Sequence, residues 1–285
     1  MEAVDLVIAY VNNDDYVWRN SFFDFCCKNN LRSKIPDMLG NRFGGLDFLS
    51  WHLKLANKNM PWLRKIFLLV CSLSQIDGVD LPRNVEVVEH KDFIWEQYLP
   101  TFNSTTIEMF LWNIPNLSER FIYANDDMLP TKPMEISDFF QGGKIKTRWR
   151  NDEYDERMGV YANQCKNCCN ALSSKLGVNF DEDRMLRPVH SYTPMIRSHC
   201  KEAFELIKTD ILKHIFAFRT KYQFNQYIYP LYEHWKYGTL DSDIDFLYTE
   251  LDTDFDLNHQ IVCVNLEKND DRTAKFVKEI TELCK

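Results

Sequence analysis

The sequence predicts an α/β protein whose mainly parallel sheet is flanked by helices. Three short segments are almost entirely apolar: 4–11 (VDLVIAYV), 65–71 (KIFLLVC) and 121–124 (FIYA). Such runs are typical of strands that are buried on both faces of a parallel sheet. Segments with helical spacing separate them, and strands that alternate with helices form βαβ units.

The elements of the first half follow in order. Residues 46–57 predict a helix after the first strand, and 84–89 (NVEVVE) predict a further strand with partial alternation. The next helix is expected to start at Thr105, because Thr105 and Glu108 have the spacing of a capping box. It is expected to stop before Pro115, and strand 121–124 comes next.

The second half is predicted to be mainly helical. The apolar pattern weakens from 141 to 189 and returns in two helical segments, 202–216 and 224–235, the second kinked at Pro230 and closed by Gly238. A strand at 260–264 and an amphipathic terminal helix end the chain. We therefore expect one domain, 1–285, with a Rossmann-like (GT-A-like) core formed by 1–140 and 258–285. Residues 141–257 would form a mostly helical lid or insertion.

Charge and cysteine content limit the class of protein. The 285 residues carry a formal net charge of −8, which argues against nucleic acid as the main partner. The chain shows neither a signal peptide nor an apolar run long enough to span a membrane. Nine cysteines, an odd number, suit a reducing compartment. We expect a cytoplasmic protein, with peripheral contact at the inner face of the membrane as an option.

Polar side chains follow three of the predicted strands where each strand ends. These groups are Asn12 to Asp15, Asn125 to Asp127, and Asn265. Because the carboxyl ends of parallel strands share one edge, where ligands bind, the groups are expected to converge. Carboxylate and amide oxygens suit Mg²⁺ or Mn²⁺ that also holds a phosphate. The pattern predicts a metal–diphosphate site, and the alternative for each group is a polar turn.

Other residue types allow chemistry without proving it. His190 follows Arg187-Pro188 in a polar stretch and could act as a general base, although a lone histidine is more often structural. Arg219 could neutralise a phosphate with its planar guanidinium or be a surface arginine. The sequence contains no GxGxxG, Walker lysine loop or GxSxG elbow, which argues against the commonest nucleotide-binding and hydrolase motifs.

A cysteine-rich segment raises the question of zinc. Cys165, Cys168 and Cys169 include a Cys-x-x-Cys spacing that His190, His199 or Cys200 could complete. No second matching pair exists, so free thiols are the favoured interpretation.

Four ordered blocks of residues resemble a known family. The first is DLVIAYVN (5–12), and the second begins at Arg42-Phe43, passes through PWLRKIF (61–67) and LPTFNS (99–104), and reaches IPNLSERFIYANDDM (114–128). The third contains RPVH (187–190) and Phe218-Arg219, and the fourth is IVCVN (261–265). In this order they resemble the Stealth family of sugar-1-phosphate transferases, which includes microbial capsular polysaccharide phosphotransferases.

The resemblance implies transfer of hexose 1-phosphate, or of an N-acetylhexosamine 1-phosphate, from a UDP-sugar to a hydroxyl of a glycan or glycolipid acceptor. UMP would leave, and a phosphodiester would form. Asp127, His190 and Arg219 would be catalytic, with His190 as base and Arg219 opposing phosphoryl charge. Asn125, Asp126, Asp127 and Asn265 would hold Mg²⁺ or Mn²⁺. The candidate donor-binding residues are Asn12, Asn13, Asp14, Arg42, Asn103 and Ser104.

Two departures from the family pattern leave alternatives open. Residues 44–50 (GGLDFLS) replace an acidic, amide-containing stretch, and Leu266 stands where an aspartate usually follows the amide. Both changes remove polar groups from the expected pocket. A GT-A-like glycosyltransferase that releases UDP and a non-catalytic glycan- or nucleotide-binding protein are the alternatives. The donor sugar, the acceptor and homo-oligomer formation are left undetermined by the sequence.

Overall fold

The computed structural model describes residues 3–39, 48–249, 254–264, 266 and 271–285. The strands are β1 (Val4–Ala9), β2 (Ile66–Val70), β3 (Val85–Glu89), β4 (Arg120–Asn125), β5 (Met128–Pro130), β6 (Phe140–Gln141), β7 (Lys144–Ile145), β8 (Trp149–Glu153), β9 (Arg184–Pro188), β10 (Thr193–Ile196), β11 (Phe246–Thr249) and β12 (Ile261–Val264). The α-helices are α1 (Tyr16–Lys28), α2 (Leu49–Asn59), α3 (Ser104–Glu108), α4 (Ile136–Phe139), α5 (Val160–Leu176), α6 (Arg197–Leu206), α7 (Lys208–Lys213), α8 (Ile228–Lys236) and α9 (Thr273–Leu283). Among the helices within these ranges, none is both long and apolar enough to cross a bilayer.

A five-stranded sheet has the order β10-β4-β1-β2-β3. β1 runs parallel to β2 with Leu6 opposite Ile66, and β2 runs parallel to β3 with Leu68 opposite Val87. β10 joins the edge antiparallel to β4. All of β2 and nearly all of β1 are buried, as their continuous apolar sequences predicted for strands covered on both faces. The prediction of an α/β fold with a mainly parallel sheet is confirmed.

The strand predicted at 260–264 belongs to a different sheet. β12 lies between β11 and β5, parallel to β11 and antiparallel to β5, with Cys263 opposite Met128. The expectation that three strand ends share one edge of one parallel sheet is therefore wrong for this strand. β12 nevertheless ends beside the polar group after β4, since Val264 N donates to Asp127 O at 3.3 Å. The end of β12 lies beside the polar group because β12 pairs antiparallel with β5, and not because the strands share a parallel edge.

The chain divides into two compact units. Unit 1 contains Met1–Asp5, Lys91–Tyr123 and Ile136–Asp243. Unit 2 contains Leu6–His90, Ala124–Glu135 and Ile244–Lys285. Within unit 1, α5 packs against α8 and β9, and within unit 2, α2 packs against β5 and α9. The predicted division into a core and a lid at residues 140 and 258 stays a prediction.

Several predicted helices differ from those observed in the structure. The segment 202–216 forms two helices, α6 and α7, which meet at Ile207. Pro230 lies in the first turn of α8, where its missing N–H leaves no helical bond unmade, so it causes no kink. Gly238 closes α8 as predicted, with a φ of 76°.

The start of α3 also differs from the predicted capping box. Asn103, not Thr105, is the capping residue, because its side-chain oxygen accepts from Thr105 N at 3.2 Å. α3 ends at Glu108, and a single 3₁₀ turn at Leu111–Asn113 follows it.

Helix α2 is fixed to the segment after β4 by two buried side chains. His52 Nδ1 donates to Asp126 O at 3.2 Å, and Asn59 Nδ2 donates to Pro130 O at 2.7 Å. The two residues are seven positions apart, which places them on the same face of the helix. Burial lowers the pKa of His52 to about 4, because the interior disfavours the charged imidazolium.

A cluster of apolar side chains in unit 2 surrounds α9. Its buried members are Phe48, Leu55, Leu129, Phe255, Leu257, Val262, Val264, Leu266, Phe276 and Ile280. Phe276 meets the rings of Phe48, Trp51 and Phe255 edge-on, at centroid distances of 5.4 to 5.8 Å. The predicted amphipathic terminal helix is confirmed, since Phe276 and Ile280 are its buried residues.

We expect Phe276→Ala to lower the free energy of unfolding by about 3–5 kcal/mol, because it removes a fully buried ring and leaves a cavity. Urea unfolding followed by circular dichroism measures this change. Phe23→Ala is the control, since that ring on α1 is 48% exposed and its loss should cost less than about 1 kcal/mol. Equal effects of the two substitutions would contradict the assignment of Phe276 to the core.

The depressed pKa of His52 makes stability depend on pH. Unfolded His52 titrates near 6.5 and folded His52 near 4, so the unfolded state binds more protons between these values. The stabilisation is therefore complete above pH 6.5 and falls as the pH drops towards 4. When the pH is lowered from 7 to 5, we expect the free energy of unfolding to fall by about 2 kcal/mol less in the His52→Asn variant than in the unmodified protein. Urea titrations that show the same loss of unfolding free energy in both proteins would contradict a lowered pKa of His52.

Candidate functional site

The acidic turn, Asn125 to Asp127, connects β4 to β5 in unit 2, where the sequence placed a candidate metal site. All three side chains are half-buried. The backbone is held on two sides, by His52 Nδ1 at Asp126 O and by Val264 N at Asp127 O. The Cys263 thiol is almost fully buried and hydrogen-bonds the Asp127 side chain, and burial followed by the charge of Asp127 raises the pKa of Cys263.

Two carboxylates fit a metal that binds together with a diphosphate. Among the described residues, no group of three His, Cys, Asp or Glu side chains is arranged to hold a metal ion. Mg²⁺, however, commonly uses one or two protein carboxylates, with substrate phosphates and waters as its remaining ligands. Asp126 and Asp127 could supply the two carboxylates. Asn265 and Arg42, the other expected contributors, lie outside the described residues.

The loop after β1 is held by Gln75, which is almost fully buried. Asn12 N donates to Gln75 Oε1 at 2.6 Å, and Gln75 Nε2 donates to Asp15 Oδ2 at 2.6 Å. Asp15 also caps α1 by accepting from Val17 N at 2.9 Å. Burial acts to raise the pKa of Asp15, but the hydrogen bonds, led by that from Gln75, hold it below its usual value. Asp15 therefore has a structural role.

The remaining polar residues of this loop also have local contacts. Asn12 Oδ1 accepts from Asp14 N at 2.9 Å, Asn13 O accepts from Arg19 Nε at 2.5 Å, and Asp14 forms an ion pair with Arg19 at 2.6 Å. Asp14 is exposed and Arg19 is half-buried, so their ion pair leaves the Asp14 carboxylate accessible to a ligand. Their role in donor binding stays a prediction.

Arg219 and Ser104 contact one another in unit 1. The Arg219 guanidinium donates to Ser104 Oγ, and Arg219 Nε is buried without a hydrogen-bond partner among the described residues. A buried N–H without a partner is costly, which makes this side chain a candidate for an anionic ligand. Asn103 is 1% exposed and donates to Phe216 O at 3.0 Å, so it fixes the loop that precedes Arg219.

The sequence predicted only a helix-capping role for Glu108, but the structure places it in the candidate site. It is 4% exposed and accepts from Gln226 N at 2.8 Å. Burial raises its pKa, while the nearby charge of Arg219 and hydrogen bonds from Gln226 and Ser104 lower it. The sequence signal that could have found this role is the position of Glu108 between Ile107 and the apolar run 109–112, because a carboxylate in apolar surroundings needs a partner.

His190 lies at the end of a chain of hydrogen-bonded side chains. Its Nδ1 is 3.0 Å from Tyr227 Oη, and Tyr161 donates to Tyr227 Oη at 3.2 Å. Arg187 donates to the Tyr161 hydroxyl at 3.4 Å and forms an ion pair with Asp152 at 2.8 Å. Tyr227 is 1% exposed, and burial raises its pKa well above the usual value. A neutral tyrosine thus holds one nitrogen of His190.

Gln226 and Tyr227 join these two groups within unit 1. Gln226 contacts Glu108, which lies beside Arg219, and its neighbour Tyr227 contacts His190. Sequence reasoning named His190 and Arg219 separately, and unit 1 links them through two consecutive residues. A histidine that can carry a proton and a guanidinium that can oppose negative charge suit transfer of an anionic group.

The cysteine-rich segment lies on the buried face of α5. Asn225 Nδ2 donates to Cys165 Sγ at 3.3 Å, and the Cys168 thiol donates to Asn225 Oδ1 at 3.5 Å. Cys169 donates to Leu186 O at 3.2 Å. All three are free thiols, and burial raises the pKa of each. His199, a proposed fourth ligand, instead contacts Glu233 Oε2 at 2.6 Å, so these contacts do not support a zinc site.

Comparison with known proteins adds the evolutionary context. Residues 42–148 match the family model described as Stealth protein CR2, conserved region 2. The capsular polysaccharide phosphotransferase LcbA of Neisseria meningitidis is 30% identical over 219 residues, which cover 73% of this chain and 57% of that protein. LcbA of Aeromonas hydrophila is 29% identical, with 78% and 62% covered. The chain thus spans 57% to 62% of the length of these relatives.

One solved structure is similar to this chain along nearly its whole length. The galactosyltransferase LgtC, in complex with donor and acceptor sugar analogues, matches 98% of this chain and 95% of that chain with a TM-score of 0.40 at 13% identity. Because this TM-score is low, the fold class is assigned from the strand pairings described above and not from this match. The match to conserved region 2 and the similarity to two capsular polysaccharide phosphotransferases show that the chain belongs to the Stealth family.

Proposed function

We propose that the chain transfers a sugar 1-phosphate from a UDP-sugar to a hydroxyl group of a glycan acceptor in the synthesis of a capsular or other cell-surface polysaccharide. The observation that carries the proposal is the acidic turn at the end of β4, whose half-buried carboxylates lie within a chain related to capsular polysaccharide phosphotransferases. The acceptor oxygen would bond to the phosphorus that carries the sugar, and the bond from that phosphorus to UMP would break. The sugar C1–O bond would stay intact.

Each group of residues has a role in this proposal. Asp126 and Asp127 would hold Mg²⁺ or Mn²⁺, which when bound offsets the charge of the donor diphosphate. Arg219 would oppose the negative charge that develops on the transferring phosphoryl group. His190 would take the proton of the acceptor hydroxyl at Nε2, because Tyr227 holds Nδ1. Donor contacts by Asn12, Asn13, Asp14 and Ser104 belong to the same proposal.

The cellular setting is also part of the proposal. All nine cysteines are free thiols, which suits a reducing cytoplasm. UDP-sugar donors and a growing glycan or glycolipid would meet the enzyme there, at the inner face of the membrane.

The decisive experiment identifies the released nucleotide. The protein is incubated with Mg²⁺, a panel of UDP-hexoses and UDP-N-acetylhexosamines, and glycan acceptors. Acceptor-dependent release of UMP would support sugar-1-phosphate transfer. Release of UDP would show a glycosyltransferase. Binding of a UDP-sugar by folded protein without turnover across the panel would favour a glycan- or nucleotide-binding role.

We expect Asp127→Asn and His190→Ala each to reduce turnover at least ~100-fold, since they remove a metal ligand and a general base. The measurement is the steady-state rate of UMP release at saturating donor. His214→Ala is the control, because it removes a half-buried histidine whose Nδ1 contacts Asp210 O at 2.8 Å outside these networks. Near-normal rates in folded Asp127 or His190 variants would refute the assigned roles.

The contact between Tyr227 and His190 gives a separate prediction. Tyr227→Phe should lower kcat by about 10-fold with little change in donor KM, because it frees the imidazole without removing it, and a general base contributes at least ~100-fold. Tyr229→Phe is the matched control, since it deletes a buried tyrosine hydroxyl two residues along the chain, on α8, which donates to Met109 O at 2.7 Å. If both variants lose activity equally, the effect of Tyr227 is structural.

A further inference from the structure

Helix α2 lies against the acidic turn and the strand that follows it. Its buried face carries two polar side chains, His52 and Asn59, among apolar neighbours. Each bonds to a backbone carbonyl of the five-residue segment from Asp126 to Pro130. Buried polar side chains are retained at a cost unless they satisfy other buried polar groups. Both side chains therefore act as hydrogen-bond donors to the backbone of this segment.

The direction of the His52 hydrogen bond is fixed by chemistry. A backbone carbonyl can only accept, so Nδ1 of His52 must carry the proton that it donates to Asp126 O. His52 is 0% exposed, which shields the bond from competition with water. The neutral ring therefore has its hydrogen on Nδ1, and a substitute must place an N–H donor at the position of that nitrogen.

The neighbouring carbonyl is held from the other side. Val264 N donates to Asp127 O at 3.3 Å, at the end of the antiparallel pairing of β12 with β5. Successive carbonyls of the acidic turn are thus bonded to α2 and to β12. A peptide plane whose carbonyl is fixed cannot rotate freely, and its rotation would swing the attached carboxylate.

We propose that His52 is a positioning residue for the acidic turn: by fixing the Asp126 carbonyl, it sets the orientation in which Asp126 and Asp127 receive a divalent cation. The proposal rests on the metal-binding role given to these carboxylates above. His52 itself does not contact the cation. It acts on the ligands through their backbone, as hydrogen-bond partners of metal ligands act elsewhere.

The test exploits the two amide analogues of histidine. The side-chain amide of asparagine can replace Nδ1, whereas that of glutamine reaches the position of Nε2. Mn²⁺ binding in the presence of UDP is measured by electron paramagnetic resonance for the full chain and for His52→Asn, His52→Gln and His52→Leu. Hydrogen exchange of the peptide containing 124–130 is measured without metal, as a readout that needs neither metal nor turnover.

We expect His52→Asn to keep Mn²⁺ affinity within about 3-fold, and His52→Gln and His52→Leu to weaken it at least ~10-fold. The metal-free acidic turn should exchange faster in the latter two variants only. Asn59→Leu is the matched control, because it removes the other buried donor of α2 but leaves the Asp126 carbonyl bonded. It should lower stability while leaving Mn²⁺ affinity within about 3-fold of that of the unmodified protein.

The outcomes separate this inference from the proposed function. If Asp127→Asn abolishes Mn²⁺ binding but all His52 variants bind normally, the metal site stands and the positioning role is refuted. Equal weakening by Asn59→Leu and His52→Gln would also refute it, because general loosening of α2 would then explain both. Failure of the unmodified protein to bind Mn²⁺ with UDP would overturn the metal site and, with it, the role of His52.

Discussion

The acidic turn has to satisfy two opposed requirements, and much of unit 2 follows from them. In the proposed metal site its carboxylates must stay accessible, while the backbone beneath them enters the interior, where each N–H and C=O needs a partner. The structure meets the second requirement with His52 on α2 and with Val264 at the end of β12. Helix α2 thus acts as a support, and its apolar positions pack around the two polar ones.

In unit 1 a buried charged group, like the buried backbone of the acidic turn, has partners that offset the cost of its burial. Glu108 is buried, and an ionised carboxylate there would be costly without Arg219 and the N–H of Gln226. Tyr227 follows directly and contacts His190. Two consecutive backbone positions therefore couple the environment of a guanidinium to that of an imidazole. For the proposed phosphoryl transfer such connections would matter as much as the reactive groups themselves, because that chemistry depends mainly on positioning and electrostatics.

The strands could be predicted because burial on both faces leaves a one-dimensional signal, the continuous apolar run. The longest helix, α5, gave no such signal. Its buried face contains Asn163, Gln164 and Lys166, and the ammonium of Lys166 donates to the carbonyls of Asp181 and Arg184. An interior face satisfied by backbone carbonyls does not show the apolar period of an amphipathic helix. Helix α5 was therefore identified only in the structure, where tertiary contacts satisfy its buried polar side chains.

The candidate site was predictable only in part, for a related reason. The Asn-Asp-Asp group stands out locally, where an apolar strand stops at three polar residues. Glu108, Gln226 and Tyr227 gain their roles from partners more than 35 residues away, and no spacing rule relates such positions. The error about β12 has the same origin. Its sequence gave a buried strand, but the choice between a parallel neighbour and antiparallel β5 depends on topology.

The structure also changes the meaning of one departure from the family pattern. Leu266 replaces an aspartate of the family pattern, which suggested that a polar group was missing from the pocket. Leu266 is 3% exposed and belongs to the apolar cluster with Leu257 and Phe276. An aspartate in this cluster would need a charged or donor partner to offset its desolvation. The leucine therefore contributes to the packing of α9 on the sheet that supports the acidic turn, and its effect on the candidate site is through that support.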